Sequence, residues 1–182
     1  MSNVGASGRA SGGELEEKID LTPETDAKLE QSAQLVKGGQ LKEALAIMSA
    51  LEKRCRVGND SSNLVRVCEA SIKYCKDAGD YEALVTTLQT LSTRRSQKQA
   101  AIKALVLKAM PYCIEDHFSP MPVAGEIEKK ARDKLVEALR EIYDGKIFLE
   151  AERARLTRCM SMILVSTVQC RNNRVRNRYL EL

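Results

Sequence analysis

Apolar residues recur every three or four positions along most of the chain, and short polar turns interrupt them; this is the period of helices packed on one face. Leu29, Ala33 and Val36 mark a first helix opening at Thr22-Pro23, where threonine is expected to cap and proline to fill the first turn. Gly38-Gly39 stops it. A second helix is predicted over about Leu41 to Arg56, with Leu41, Ala44, Leu45, Met48, Leu51 and Cys55 on one face. Gly58-Asn59-Asp60-Ser61 predicts a turn with a cap, and Leu64, Cys68, Ile72 and Cys75 fall in register behind it. Ala78-Gly79-Asp80 ends that helix, and Tyr81, Leu84, Val85, Leu88 and Leu91 carry the next. The stripe through Ile102, Leu105, Val106 and Ala109 should kink or end at Pro111, which lacks the amide proton a helix needs. Ser119-Pro120-Met121-Pro122 is a break. Ile127, Ala131, Leu135, Leu139 and Ile142 then lead to Asp144-Gly145, where glycine takes the left-handed conformation without a Cβ penalty. A further helix starts almost at once, so the two must lie side by side or cross closely.

The pattern repeats. Gly39, Leu41, Ala44, Leu45, Met48 and Leu51 correspond to Gly79, Tyr81, Leu84, Val85, Leu88 and Leu91, each pair 40 residues apart. One helix hairpin cannot bury its own apolar stripe, so repeated hairpins stack and share a core. The expected fold is all-α, an α-solenoid of stacked antiparallel helix hairpins of the tetratricopeptide or HEAT kind. It should occupy residues 21–164, after a Gly/Ser-rich and then acidic disordered arm over residues 1–20. Residues 165–182 form a divergent tail with Arg171, Arg174, Arg176 and Arg178 and no apolar period.

Composition narrows the function. Among 182 residues aromatics make up 4% and tryptophan is missing, which argues against base-stacking platforms and aromatic-lined pockets. The net charge of +4 is modest and the basic residues are mixed with acids up to the tail, so neither a nucleic-acid nor a membrane partner is expected. Six cysteines without a Cys-x-x-Cys pair, and one histidine, make a zinc site unexpected. The default is reduced, partly buried thiols. Cys113 and His117 are four apart and could share a helix face, but no Gly-rich oxyanion loop or orienting partner accompanies them, so no catalytic residue is assigned. Gly145-Lys146 lacks the upstream glycine and following Ser or Thr of a phosphate loop, and no cofactor is expected.

Two charged stretches remain. Leu91-Ser92 is followed by Arg94-Arg95-Ser96-Gln97, a basic corner between helices. Gly145-Lys146-Ile147-Phe148 leads into Glu150, Glu152-Arg153-Ala154-Arg155-Leu156-Thr157, where Glu150 with Arg153 and Glu152 with Arg155 are spaced to pair along a solvated face. Together these blocks resemble the N-terminal part of lid subunits of the 26S proteasome regulatory particle, members of the PCI family. Weaker similarity spans about residues 22–163 and includes Leu51-Glu52-Lys53; the match is expected to fail near Val165.

The resemblance implies a non-catalytic scaffold whose solenoid leads towards a C-terminal PCI domain, a helical repeat joined to a winged helix. It implies contacts with other lid subunits, the ATPase ring and the core particle, in cytoplasm and nucleus. Arg94, Arg95, Arg153 and Arg155 are the candidate contact or structural charges. Family members are much longer and the PCI domain is lacking here, so a truncated product is expected. The paralogous signalosome subunit shares the architecture, and a free-standing adaptor binding peptides in its groove is the rival of another class.

Overall fold

Each turn foreseen from glycine and asparagine reverses the chain and starts a new helix. The computed structural model describes residues 21–115, 119–122 and 125–180. The arm expected over residues 1–20, and His117, lie outside the described residues. In order the elements are α1 (Thr22–Lys37), α2 (Leu41–Val57), α3 (Ser61–Asp77), α4 (Tyr81–Thr93), α5 (Gln99–Ala109), β1 (Ile114–Glu115), β2 (Ser119–Pro120), α6 (Glu126–Tyr143) and α7 (Glu150–Leu180). A 3₁₀ turn over Met110–Tyr112 ends α5 at Pro111, and another over Ile147–Leu149 leads into α7. Among the described residues the one strand pairing is a two-residue antiparallel ladder that pairs Ile114 with Pro120 and Glu115 with Ser119. The fold is an all-α solenoid.

The corners explain the period. Left-handed residues stand at Gly39 (φ 79°), Asn59 (φ 55°) and Gly79 (φ 70°), one every 20 residues, so a hairpin repeats every 40. At each, the next amide reaches back to the helix just ended: Gln40 N to Leu35 O at 2.9 Å, Asp60 N to Cys55 O at 2.9 Å, Asp80 N to Cys75 O at 3.1 Å. These bonds satisfy carbonyls that a helix terminus leaves open. Asp60 and Asp80 then cap the following helices, accepting from Asn63 N at 3.1 Å and Ala83 N at 2.8 Å.

The helices form two layers. α1, α3 and α5 stack in one, with α3 packed on both neighbours, while α4 packs on α6 in the other. A continuous core runs between the layers through Met48, Cys55, Leu64, Ile72, Leu84, Leu88, Leu105, Leu139, Leu149 and Leu156. Burying each such side chain is worth about 1.5–3 kcal/mol relative to leaving it in water.

Thr22 does not cap α1 as expected. Leu21 holds the cap position, and its amide donates to Asp60 Oδ2 at 3.3 Å. The Thr22 hydroxyl instead accepts from Asn63 Nδ2 at 2.9 Å. The start of α1 is thus tied to Asp60 and Asn63 of the next hairpin, and Tyr74, donating to Leu29 O at 2.8 Å, adds a further tie from α3 to α1.

Candidate functional site, a buried carboxylate between hairpins

Met48, Leu51 and Cys55 face the core on α2, and Glu52 lies on the same face with its side chain 1% exposed. An ionised carboxylate at such a place is costly unless fully hydrogen-bonded. Three residues supply the donors. Arg94 Nη1 reaches Glu52 Oε2 at 2.6 Å. Arg56 Nε and Gln97 Nε2 reach Oε1 at 3.0 and 3.1 Å. Each donor is held in turn: Arg94 also donates to Ser49 Oγ at 2.8 Å, Gln97 to Leu91 O at 2.8 Å, and Arg56 to Arg95 O at 3.0 Å. The loop between α4 and α5, with Ser96 at φ 60°, is shaped to bring Arg94 and Gln97 back onto α2. The hub closes one side of a cavity of about 170 Å³ between α2 and α4, lined by Ser49, Ser71, Thr86, Thr87, Thr90 and Arg94. Where two helices of one layer stand apart, charged hydrogen bonds join them.

The second charged stretch is built differently. Gly145 is left-handed (φ 68°), and Lys146 donates its ammonium to Ile142 O at 2.7 Å, satisfying a terminal carbonyl of α6. Leu149, Glu152, Leu156 and Cys159 fall on the buried face of α7. Glu152 therefore does not pair with Arg155 along a solvated surface, as its spacing had suggested. It turns inward, and the ion pair it makes is with Lys103 of α5, at 3.8 Å. Arg153 does pair with Glu150, at 3.7 Å on an exposed face.

Of the four arginines singled out in the sequence, Arg94 is committed to the hub. Arg95 is exposed and contributes its carbonyl to Arg56. Arg153 is exposed and Arg155 half-buried on α7. The structure joins neither pair to the other. Glu52 as the partner of Arg94, and Arg56 and Gln97 as the further donors to Glu52, were missed; the available signal was a glutamate on the apolar face of α2.

Cys55, Cys68, Cys75, Cys113 and Cys159 are free and buried. Burial pushes the Cys113 thiol up to about 12, and it donates to Met110 O at 3.3 Å. That is the reverse of an activated nucleophile. Asp60 shows the opposite balance: burial alone would raise it, but hydrogen bonds from Asn63, Ser62 and Leu21 outweigh that and hold it at about 2. Among the described residues no group of three His, Cys, Asp or Glu side chains could hold a metal. Within the same residues no helix is long and apolar enough to cross a membrane.

Stacked hairpins, glycine corners and buried charges spent on joining helices define a helical-repeat scaffold. Residues 43–173 match the family model described as PSMD12/CSN4, N-terminal. The chain belongs to that family. It is 38% identical over 144 residues to the 26S proteasome non-ATPase regulatory subunit 12 of Dictyostelium discoideum, across 79% of this chain and 30% of that protein. Identity to the 26S proteasome regulatory subunit rpn501 of Schizosaccharomyces pombe is 30% over 150 residues, covering 80% and 32%. To the 26S proteasome non-ATPase regulatory subunit 12 homolog B of Arabidopsis thaliana it is 27% over 124 residues, covering 68% and 26%. The chain spans about a third of the length of these curated relatives. The family match continues to residue 173, past Val165 where resemblance was expected to fail, and α7 runs unbroken through that point.

Proposed function

We propose that this chain is a non-catalytic scaffold segment of the proteasome regulatory-particle lid, serving ubiquitin-dependent degradation by presenting surfaces along stacked helices. One observation carries the reading: the family match over residues 43–173 coincides with relatives named as 26S proteasome regulatory subunits. The chemistry supports it. Arg94, Arg56 and Gln97 are spent on holding Glu52, and the buried thiol of Cys113 is suited to packing rather than attack. Exposed Arg95 and Arg153, with half-buried Arg155, are the candidate contact charges. The partners are other lid subunits, with the ATPase ring and core particle beyond them, in cytoplasm and nucleus. A second reading follows from the family description itself, which also covers CSN4, so the paralogous signalosome is the alternative complex.

Capture of the tagged chain from cells, followed by quantitative mass spectrometry, separates these. Enrichment of lid subunits supports the proposal, enrichment of signalosome subunits supports the alternative, and recovery of neither leaves a free-standing adaptor. Arg95→Glu and Arg153→Glu should reduce lid recovery without altering helicity, since neither side chain is buried.

A further inference from the structure

The inward face of α1 is unlike that of α3, on which it packs. Its deepest positions are Leu21, Thr25 and Ser32, and the last two are fully buried. Neither hydroxyl has a hydrogen-bond partner. Thr25 is turned towards the Cys55 thiol of α2 without completing a bond. The apolar stripe of Leu29, Ala33 and Val36 is only half-buried. On α3 the same depth is filled by Leu64, Val67, Cys68, Ile72 and Cys75, all fully buried. A hydroxyl that leaves water without gaining a partner opposes docking, so α1 gains less from packing than α3 does.

The ties that hold α1 are polar and lie towards one end. Leu21 N on Asp60 at 3.3 Å and Thr22 Oγ1 on Asn63 at 2.9 Å fix its start. Glu24 pairs with Arg54, Asp26 with Arg66 at 2.5 Å, and Tyr74 reaches Leu29 O at 2.8 Å. Among the described residues no hydrogen bond or ion pair joins residues 30–37 to α2 or α3. The chain then turns at Gly38-Gly39, where Gly39 is left-handed with open space beside its Cα. A latch over residues 21–29 and a two-glycine hinge therefore stand at opposite ends of one lightly packed helix.

We infer that α1 is a flap, which opens as one body on Gly38-Gly39 while the rest of the solenoid stays folded and so uncovers Cys55. Such openings belong to elements with little buried apolar area, held by single hydrogen bonds and solvated ion pairs. Opening returns the Thr25 and Ser32 hydroxyls to water, which offsets part of the lost packing. Cys55, fully buried against Thr25, reports the open state. The flap does not depend on the proposed place in the lid.

Alkylation of the native full chain with N-ethylmaleimide, read cysteine by cysteine by mass spectrometry, tests it. Each rate is taken relative to the urea-unfolded chain. Cys55 should react at least about tenfold faster than Cys75, which faces Thr87 of α4, and Cys113, which lies by Cys159 of α7. Its rate should also rise less steeply with urea, because opening a flap exposes less surface than unfolding the chain. Tyr74→Phe, which cuts the latch, should raise the Cys55 rate about threefold or more. Ser32→Ala is two turns from Thr25, yet it should lower that rate about threefold, as Thr25→Val does, because the helix moves as a unit. A Cys55 rate equal to those of Cys75 and Cys113, with the same urea slope, would overturn the inference, since only global unfolding would then expose the thiol. Thr25→Val slowing Cys55 while Ser32→Ala leaves it unchanged would overturn it too, by confining the opening to the first turn.

Discussion

Two glutamates are buried among the described residues, and they are held in unlike ways. Glu52, 1% exposed, has donors from two arginines and a glutamine between 2.6 and 3.1 Å. Glu152, 7% exposed, has one ammonium at 3.8 Å, on a lysine side chain that is itself half in water. The first joins α2 to the loop after α4 across a gap that apolar packing does not fill. The second sits at a corner already closed by Leu149, Leu156 and Cys159. A buried charge in a repeat array is thus structural where it replaces a missing apolar contact, and close to incidental where that contact exists.

The largest effect should come from Glu52→Ala, which leaves Arg94 and Arg56 facing a void. A loss of about 3 kcal/mol in urea unfolding is expected, against about 1 kcal/mol for Glu152→Ala. Equal losses would erase the contrast. Next is acid. Asp60, which ties α1 to α3, is held at about 2 against an ordinary value of 3.8. Its contribution is therefore complete above about pH 4 and is lost as pH falls through about 2, a change of about 2 kcal/mol. Asp60→Asn should remove that part of the acid slope in a pH-dependent melt and leave the Glu52 effect standing.

Double-mutant cycles sharpen the point further. Coupling between Glu52 and Arg94 should be about 1.5–3 kcal/mol, and between Glu152 and Lys103 below about 0.5 kcal/mol because Lys103 is half exposed. The smallest change should follow Arg153→Ala, within about 0.5 kcal/mol of the parent by thermal melting, since its pair with Glu150 is solvated. A larger loss would make Arg153 structural and remove it from the candidate contacts.

Local rules made much of this legible. Helix period and glycine corners placed α1 to α6, because both signals are written within a few residues. Gly39 and Gly79 announced helix ends, Gly145 a left-handed one, and Asn59 stood among residues that mark a turn; all four have positive φ. The hub was not legible as a unit, because Arg94 and Glu52 are 42 residues apart and meet only once α4 stacks beside α2. Spacing alone misplaced Glu152: its helical neighbours Leu149 and Leu156 turn it inward, and burial overrode the surface pair with Arg155. The β1–β2 ladder, two residues on each side, is too short for any period to show.

The 42-residue separation also sets an order in time. Ribosomes extend a chain by about 5–20 residues each second, so Glu52 precedes Arg94 by about 2–8 s. Through that interval α1 and α2 can pair, but the carboxylate has only Arg56 and solvent. Sealing the second layer must wait for Gln97 to emerge. The hub can thus close only after Gln97 is made, and until then the seam between α2 and α4 lacks the hydrogen bonds that close it in the finished fold.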